Sequence, residues 1–530
     1  MSYTSLAFAA FTLGALIIYY LMPSRFRYLV LLAFSYAFYI ITCGKYVIYI
    51  LVTTCSTYIA TRFMGGIYRR QKEYLAENKE TLTRDEKKQY KEKSKSGARR
   101  IMVLTLLLNF GVLGVLKYAD FTIANINMLR LTLFNSTGFL GFLNPVLPLG
   151  ISFYTFQSMG YVIDVYFGRY EAEKNPFKLA LYVSYFPQII QGPISRFNEL
   201  SKTLFAGAAF NSESFCIGLY RILWGLFKKL VVADRLAAYV DGAVNHYTEA
   251  GGTYLLLAVF FYSMQIYGDF SGGIDITIGV SKLFGVSVAE NFDRPFFSKS
   301  VAEYWRRWHI TLGTWFKDYI FYPITVSKRV LELSKKSREK IGEGFGKRLP
   351  IYLAMFTVWF ATGLWHGAEW RYVVWGLLNF VILTFSTEAK PLYDRLNGLL
   401  KWEGSFAHRC FAVFRTFWIM SFLRVFDLSS GGVKMALVII KKSLTDICPL
   451  TLENIELLGL DRQELTVGCI GILIMLIYSL RQRKGSIEEA ILKLPIAARW
   501  GFTALACMAV VIFGSYGMGY NARDFIYLQF

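Results

Sequence analysis

The sequence predicts an all-α polytopic membrane protein, and three observations favour that class. Of the 530 residues, 55% are hydrophobic, 17% are aromatic and only 18% are charged, whereas soluble domains contain about 25% charged residues. Apolar stretches recur along nearly the whole chain. The basic residues lie mainly in short connections between them, which is typical of membrane proteins. We expect one integral membrane domain over residues 1–530, with about eleven transmembrane helices plus short buried, re-entrant and amphipathic helices around a central tunnel.

The candidate membrane segments are the apolar runs. In chain order they are Thr4–Met22, Tyr28–Thr42, Tyr46–Ala60, Ile101–Leu116, Pro148–Tyr166, Leu179–Ile194, Phe215–Val232, Tyr254–Ile266, Ile274–Val286, Ile351–Trp365, Tyr372–Phe385, Phe411–Phe422, Leu465–Leu480 and Phe502–Phe513. Several are shorter than the roughly 20 residues that a perpendicular crossing needs. Because irregular backbone is tolerated at membrane depth only inside protein or beside water, we expect some segments to be re-entrant, broken or covered by other helices.

Two blocks of mixed charge set the expected orientation. Residues Arg69–Arg100 and Ser327–Arg348 have little apolar surface to bury, so we expect cytoplasmic loops that are helical or partly disordered. Three residues precede the first segment, whereas Arg25 and Arg27 follow it, which predicts an N-terminus outside the cell membrane. Three crossings then place Arg69–Arg100 inside, in agreement with its charge.

Composition also argues against several classes of function. The net charge of +21 comes mainly from the connections between apolar segments, so we expect membrane lipid and not nucleic acid as a partner. The seven cysteines are single and mostly lie within apolar segments, which indicates neither a disulfide framework nor a metal site. We expect no cleavable signal peptide, since the first segment is uncharged for 19 residues.

The segment Ala302–Ile324 predicts an amphipathic helix that ends near Pro323. At about 100° per residue its large apolar side chains form one stripe, and Arg306 and His309 lie on one flank. The stripe consists of Trp305, Trp308, Leu312, Trp315, Phe316 and Tyr319. One interpretation is a helix in the membrane interface, where His309 is incidental. The other is a helix that dips into the protein and carries His309 to a cavity.

A further histidine, His366, follows the apolar run "IYLAMFTVWFATGLW" and precedes Gly367. An ionisable residue at membrane depth is a hypothesis for a functional site. Burial disfavours the imidazolium, and a neutral ring suits a general base that acts on a hydroxyl. The alternative is a core imidazole that is hydrogen-bonded to a neighbouring carbonyl.

Two other patterns place polar residues in apolar sequence. Asp269 and Asp275 interrupt "QIYGDFSGGIDITIG", which predicts a broken helix. Pairing with Arg306 or Arg307 would make these carboxylates structural, and catalysis is the alternative. Tyr527 provides the hydroxyl of the last six residues, "FIYLQF", where simple packing of an apolar tail is one interpretation.

Together these stretches resemble the membrane-bound O-acyltransferase family, and within it the bacterial branch that O-acetylates alginate and other exported polysaccharides. The resemblance is carried by "LPLGISFYTFQSMGYVIDVY", "FPQIIQGPISRF", "YGDFSGGIDITIG", "NFDRPFFSKSVAEYWRRWHITLGTWFKDYIFYPI", "GLWHGAEW" and "FIYLQF". This chain has "DFSGGID" where the family usually reads close to "DFSGYSD", and its basic loop Ser327–Arg348 is longer. Both departures leave the identity of the substrate open, but they do not change the expected type of reaction.

The resemblance implies roles for three residues. His366, within "WHG", corresponds to the catalytic histidine, and His309, within "RWHITL", corresponds to a second histidine that supports it. The related teichoic-acid D-alanylation system uses a small partner peptide whose end is similar to "FIYLQF". By that similarity, Tyr527 is expected to hold the acyl group transiently.

The resemblance also implies the substrates. The donor would be acetyl-coenzyme A or an acyl-carrier thioester in the cytoplasm, with no bound cofactor, and the acceptor a polysaccharide outside, reached through an extracytoplasmic acyltransferase or acceptor protein. Trp305, Trp365, Asp269 and Arg306 are the candidates for contacts with substrate or for the tunnel wall. Two alternatives stay open. One is D-alanyl or longer-chain acyl transfer on the same scaffold, and the other is a non-enzymatic transporter in which His366, Asp269 and Asp275 form a substrate or proton pathway.

Overall fold

Helices form the regular secondary structure of the chain in the computed structural model, which describes residues 1–135, 138–517 and 523–526. Within those ranges no strand forms, and the β-type pairing is an isolated antiparallel bridge between Phe292 and Trp308. A helix satisfies its backbone hydrogen bonds internally, as a chain in hydrocarbon requires. The all-α prediction is confirmed.

The chain divides into two compact units, of which the first comprises Met1–Phe215 and Val280–Ala289. Its helices are α1 (Leu6–Leu21), α2 (Arg27–Cys43), α3 (Val47–Glu77), α4 (Arg84–Phe134), α5 (Ile151–Tyr166), α6 (Pro176–Ser184) and α7 (Phe197–Leu204). Helix α5 is buried along nearly its whole length and packs against α3 and α4. It therefore forms the core of this unit, although its segment was a candidate crossing.

The first charged block is helical. Helices α3 and α4 extend beyond the apolar segments into the block, and residues 78–83 separate them. At the start of α4 the Thr83 hydroxyl accepts a hydrogen bond from the Glu86 N–H, and the Glu86 carboxylate accepts one from the Thr83 N–H. This reciprocal pair satisfies two N–H groups at the helix start. Of the two expected states of Arg69–Arg100, the helical one is correct.

Four helical stretches of the described residues are long and apolar enough to cross a membrane, namely Ser24–Glu77, Arg84–Phe134, Arg462–Lys484 and Ile496–Phe513. A fifth would join Trp370–Glu388 to Lys390–Leu400, which meet at an angle of 56°. The chain is therefore a multi-pass membrane protein, as predicted. The expected number of about eleven crossings is not confirmed, because many apolar segments form shorter helices.

The second unit comprises Cys216–Gly279 and Glu290–Phe530. Helices α8 (Ser212–Leu226) and α10 (Gly252–Leu283) have residues in both units. The other helices are α9 (Asp234–Asn245), α11 (Val301–Arg307), α12 (Ile310–Phe316), α13 (Tyr322–Thr325), α14 (Lys328–Lys340), α15 (Glu343–His366), α16 (Trp370–Glu388), α17 (Lys390–Leu400), α18 (Phe406–Leu423), α19 (Val425–Leu428), α20 (Gly432–Thr445), α21 (Leu452–Leu457), α22 (Arg462–Arg481), α23 (Ile487–Leu492) and α24 (Ile496–Phe513). The second charged block is also helical, in α14 and the start of α15.

Helix α10 is continuous through the segment that contains Asp269 and Asp275, so the predicted break is wrong. Its glycines allow close packing instead. A β-carbon on Gly272 would lie 2.8 Å from the carbonyl oxygen of Gly225, and one on Gly225 would lie 2.5 Å from the carbonyl oxygen of Gly272. Small residues let helix backbones approach in this way. The glycines that suggested a break in α10 instead allow α10 to pack closely against α8.

Candidate functional site

His366 is the last residue of α15, at the turn into α16. Gly367 follows in an extended conformation, and a β-carbon there would lie 2.2 Å from the ring of Tyr372. The turn closes against this ring because glycine has no side chain. The imidazole of His366 is 8% exposed and packs edge-on against Trp375, with ring centroids 4.6 Å apart. The turn thus holds His366 within an aromatic wall.

His309 lies in a break between α11 and α12. Its backbone is left-handed, with φ 48° and ψ 52°, a conformation that non-glycine residues adopt when neighbouring contacts enforce it. The continuous helix predicted over Ala302–Ile324 is therefore wrong, since one helix ends at Arg307 and the next begins at Ile310. Pro323 lies in the first turn of α13.

The side chain of Asn291 enforces this break. Its Oδ1 accepts hydrogen bonds from the N–H and the hydroxyl of Thr311, both at 3.0 Å, and lies 3.3 Å from Nδ1 of His309. Its backbone carbonyl accepts a hydrogen bond from the Ile310 N–H at 3.0 Å. Asn291 is 0% exposed. Asn291 therefore accepts hydrogen bonds from the first two N–H groups of α12, and its side chain orients the imidazole of His309.

These contacts also define the tautomer of His309. An amide oxygen only accepts hydrogen bonds, so Nδ1 must carry the proton in its contact with Asn291. In the neutral ring Nε2 is then the nitrogen with the lone pair. His309 can thus act as a hydrogen-bond acceptor or a base through Nε2.

Trp308 secures the other side of the break. It forms the isolated bridge with Phe292, and the adjoining Asp293 N–H donates to the carbonyl of Arg307 at 3.0 Å. The buried guanidinium of Arg424 lies over the Trp308 ring, 3.9 Å from its centroid. A desolvated cation over an indole is a strong form of this attraction. Arg424 therefore holds the residue that precedes His309.

Both histidines line one cavity of about 380 Å³. Trp305, Arg306 and Thr362 contribute to the same wall. His309 is 3% exposed. An apolar, aromatic wall with a few convergent polar groups is typical of a small-molecule site. The structure favours the interpretation that the α11–α12 segment carries His309 to a cavity.

Trp365 connects the two histidines. The centroid of its ring lies 5.7 Å from that of His309 and 5.1 Å from that of His366, and both contacts are edge-on. Trp305 is fixed by a hydrogen bond of 3.0 Å from its Nε1 to Oδ1 of Asn379. Of the predicted site residues, the structure brings together both histidines, both tryptophans and Arg306.

The two aspartates of α10 do not have the predicted partners. Arg306 lines the cavity, and Arg307 pairs with Glu303 at 2.7 Å on its own helix. Asp269 and Asp275 instead pair with cations of the α8–α9 region. The expectation that these carboxylates form ion pairs is correct, but the choice of arginines is wrong.

The cations that sequence analysis missed include Lys228 and Lys229. They are adjacent in a π-helical stretch, Phe227–Ala233, in which every residue is buried. Lys229 Nζ lies 2.6 Å from Asp269, and Lys228 Nζ pairs with Asp275. π-Helical turns occur frequently at functional sites. A signal was present in "LFKKLVV", because two lysines within an apolar run need buried carboxylates as partners.

Tyr527 lies outside the described residues, but the residues directly before it are described. Phe525 is 0% exposed, and the Ile526 N–H donates a hydrogen bond of 2.9 Å to Oδ2 of Asp269. Asp269 therefore contacts the last described residues of the chain, and it is not part of the wall of the histidine cavity.

Comparison with known proteins identifies the family. Residues 173–337 match the model of the membrane-bound O-acyltransferase family. The chain is 32% identical over 360 residues to probable alginate O-acetylase AlgI of Azotobacter vinelandii, which covers 68% of this chain and 63% of that protein. It is 30% identical over 331 residues to peptidoglycan O-acetyltransferase of Helicobacter pylori, covering 57% and 58% respectively.

A more distant relative is teichoic acid D-alanyltransferase of Bacillus subtilis, at 28% identity over 267 residues, covering 49% of this chain and 62% of that protein. The chain thus matches less than two thirds of the length of each of these relatives. The matched family segment contains His309, Asn291 and Asp269. The chain belongs to the membrane-bound O-acyltransferase family.

Proposed function

We propose that the protein is an O-acyltransferase that moves an acetyl group from a cytoplasmic thioester to hydroxyls of an extracytoplasmic polysaccharide. The observation that carries the proposal is the pair of buried histidines, His309 and His366, on one aromatic cavity. The relatives named alginate O-acetylase and peptidoglycan O-acetyltransferase support acetyl as the group and a cell-envelope polymer as the acceptor.

In this proposal His366 is the general base. One of its imidazole nitrogens takes the proton of an attacking hydroxyl while the hydroxyl oxygen bonds to the thioester carbonyl carbon. The tetrahedral intermediate then collapses, the C–S bond breaks, and the imidazolium gives its proton to the leaving thiolate. The products are an acyl ester and a thiol. His309 supports this step from the wall of the same cavity, as a second acid–base group that can hold a proton at its Nε2.

The first hydroxyl to attack is the phenol of Tyr527. Its neighbour Ile526 is bound to Asp269, and the next residue of α10, Phe270, packs edge-on against His309 with ring centroids 4.9 Å apart. This proximity supports a route from the tail to the cavity. In the second transfer an acceptor hydroxyl attacks the tyrosyl ester, the ester C–O bond breaks, and the phenolate regains a proton. An extracytoplasmic acyltransferase or acceptor protein would carry the group to the polysaccharide.

The distribution of charge supports this direction of transfer. A donor such as acetyl-coenzyme A carries phosphates and stays in the cytoplasm, where the charged blocks Arg69–Arg100 and Ser327–Arg348 would attract it. We place the protein in the cytoplasmic membrane, with both blocks inside and the amino end of α1 outside. Only the acyl group then has to pass between the two aqueous compartments.

D-Alanyl transfer is the second candidate function, because one relative is named teichoic acid D-alanyltransferase. Acetyl is favoured, since the alginate O-acetylase relative matches more of this chain at higher identity. The two are distinguished by offering acetyl-coenzyme A or a D-alanyl carrier-protein thioester to the purified protein. Mass spectrometry of the trapped adduct then identifies the group.

The central test replaces His366 by alanine. Acetyl transfer by purified protein in liposomes is expected to fall by about 10²–10⁴-fold, as for loss of a general base, with no loss of folded protein. His246→Ala is the matched control, because this histidine is exposed and pairs with Glu249 on the surface. Full activity of His366→Ala would contradict the assignment. A wild-type protein that consumes no thioester with any acceptor would favour the transporter.

A further inference from the structure

We propose that Lys229 and Asp269 form a binding site for the main chain of residues 523–526, referred to below as the tail, and that this site fixes the register of the tail. The site itself depends on contacts between described residues. Its consequence, that the register presents Tyr527 for acylation, rests on the proposed function.

The first argument is that the site contacts the main chain on both sides of one residue. Asp269 Oδ2 accepts the Ile526 N–H at 2.9 Å. Lys229 Nζ donates to the carbonyl oxygen of Asp524 at 3.4 Å. These two bonds flank Phe525, so a shift of the tail by one residue would break both. Main-chain contacts of this kind fix position without selecting the side chains at 524 and 526.

The second argument is that the site selects an aromatic side chain at position 525 of the tail. Phe525 is fully buried, and Lys229 Nζ lies 4.7 Å from the centroid of its ring. An ammonium over an aromatic face is attracted to the ring, and more strongly when water is excluded. The site therefore requires an aromatic residue at this position together with a free N–H at the next.

The third argument comes from the charge of the site. Lys229 lies between two carboxylates, 2.6 Å from the buried Asp269 and 2.8 Å from Asp234. The tail adds a donor to this cluster, because the Ile526 N–H donates to Asp269. It also adds a cation, because the guanidinium of Arg523 acts on Asp234. Buried charges are stabilised by such partners, so the tail is part of the ion cluster.

The experiment measures tail binding by trypsin, which cleaves after arginine and here releases the seven residues Asp524–Phe530. Arg523 is paired with Asp241 at 2.6 Å, so cleavage requires the tail to leave its site. Cleavage within Arg69–Arg100 serves as an internal control. The released peptide contains Tyr527, so mass spectrometry of the same peptide after turnover with acetyl-coenzyme A reports whether it was acylated.

Two variants break the site from opposite sides. Asp269→Ala removes the acceptor, and Ile526→Pro removes the N–H while leaving the helices untouched. Ile526→Val keeps the N–H and is the matched control. Since hydrogen bonds to charged groups are among the stronger ones, release of the peptide is expected to rise about tenfold or more in both variants and to stay at the wild-type rate in Ile526→Val. If Asp269→Ala does not fold, the release rate of Ile526→Pro alone tests the binding site.

Each outcome separates the site from the proposed function. Wild-type release rates in Ile526→Pro would overturn the binding site. A protected wild-type tail that is never acylated would leave the site standing and remove Tyr527 from the mechanism. In a positioning role, Ile526→Pro lowers the yield of acylated peptide, whereas Ile526→Val keeps it at the wild-type level. Equal acylation in Ile526→Pro and wild type would overturn the positioning role.

Discussion

Replacing Asn291 by alanine tests whether the break in the helix orients His309. The amide oxygen contacts the Thr311 N–H, the Thr311 hydroxyl and Nδ1 of His309. A net hydrogen bond contributes about 1 kcal/mol, and a left-handed conformation costs about 1–2 kcal/mol. Because the three contacts offset that cost, Asn291→Ala is expected to destabilise the turn by about 2–3 kcal/mol. If about half of this acts on the imidazole, transfer slows about tenfold.

The assay is acetyl transfer by the purified variant in liposomes, with kcat and KM measured separately and thermal unfolding followed in parallel. Loss of orientation lowers kcat, whereas loss of donor binding raises KM. Asn245→Ala is the control, since Asn245 is an exposed asparagine at the end of α9. The expected result is a reduced kcat for Asn291→Ala and an unchanged rate for Asn245→Ala.

A double-mutant cycle distinguishes orientation from general loss of structure. If Asn291 acts through His309, then Asn291→Ala adds little to the loss already caused by His309→Ala. Additive losses would refute the reasoning, because they would mean that Asn291 affects transfer by another route. Wild-type kcat in the single variant would refute it as well.

Three further predictions concern the same site. His309→Gly and His309→Ala are both expected to lose transfer, but the glycine variant is expected to be more stable by about 1–2 kcal/mol because it relieves the left-handed strain, as thermal unfolding would show. Gly367→Ala is expected to abolish most transfer, since its β-carbon would lie 2.2 Å from a tyrosine ring. Gly313→Ala, where the nearest atom is 3.7 Å away, is expected to be tolerated in the same assay. Arg424→Lys keeps the charge but loses the planar contact with Trp308, so kcat is expected to fall; a wild-type kcat would contradict this role.

The break at His309 could not be predicted from helical periodicity. The apolar stripe of Ala302–Ile324 predicted a helix, and helices do form on both sides of the break, in α11 and α12. The break depends on Asn291, which lies outside the segment and contacts His309 through space. The sequence therefore predicted helical structure on both sides of His309, whereas a long-range contact determines the backbone conformation at His309 itself.

His366 could be predicted from local sequence, whereas the partners of the buried carboxylates could not. The position of His366 between an apolar run and a glycine predicted a buried imidazole, and the structure buries this side chain at the end of α15. The pairing of Asp269 could not be predicted from local spacing, because Lys229 lies 40 positions earlier in the chain. A charge balance over the apolar segments would have found it, since "FKKL" and "GDFSGGID" carry opposite charges.

Three consecutive residues of α10 connect these features. Gly268 lets the helix approach the π-helical stretch, since a β-carbon there would lie 2.8 Å from the carbonyl oxygen of Lys228. Asp269 binds the tail, and Phe270 packs against His309. Successive side chains on a helix point about 100° apart, so each of the three reaches a different neighbour. A rotation of α10 would therefore disturb the lysines, the tail and the histidine together, which physically couples the binding of the tail to the geometry of the site.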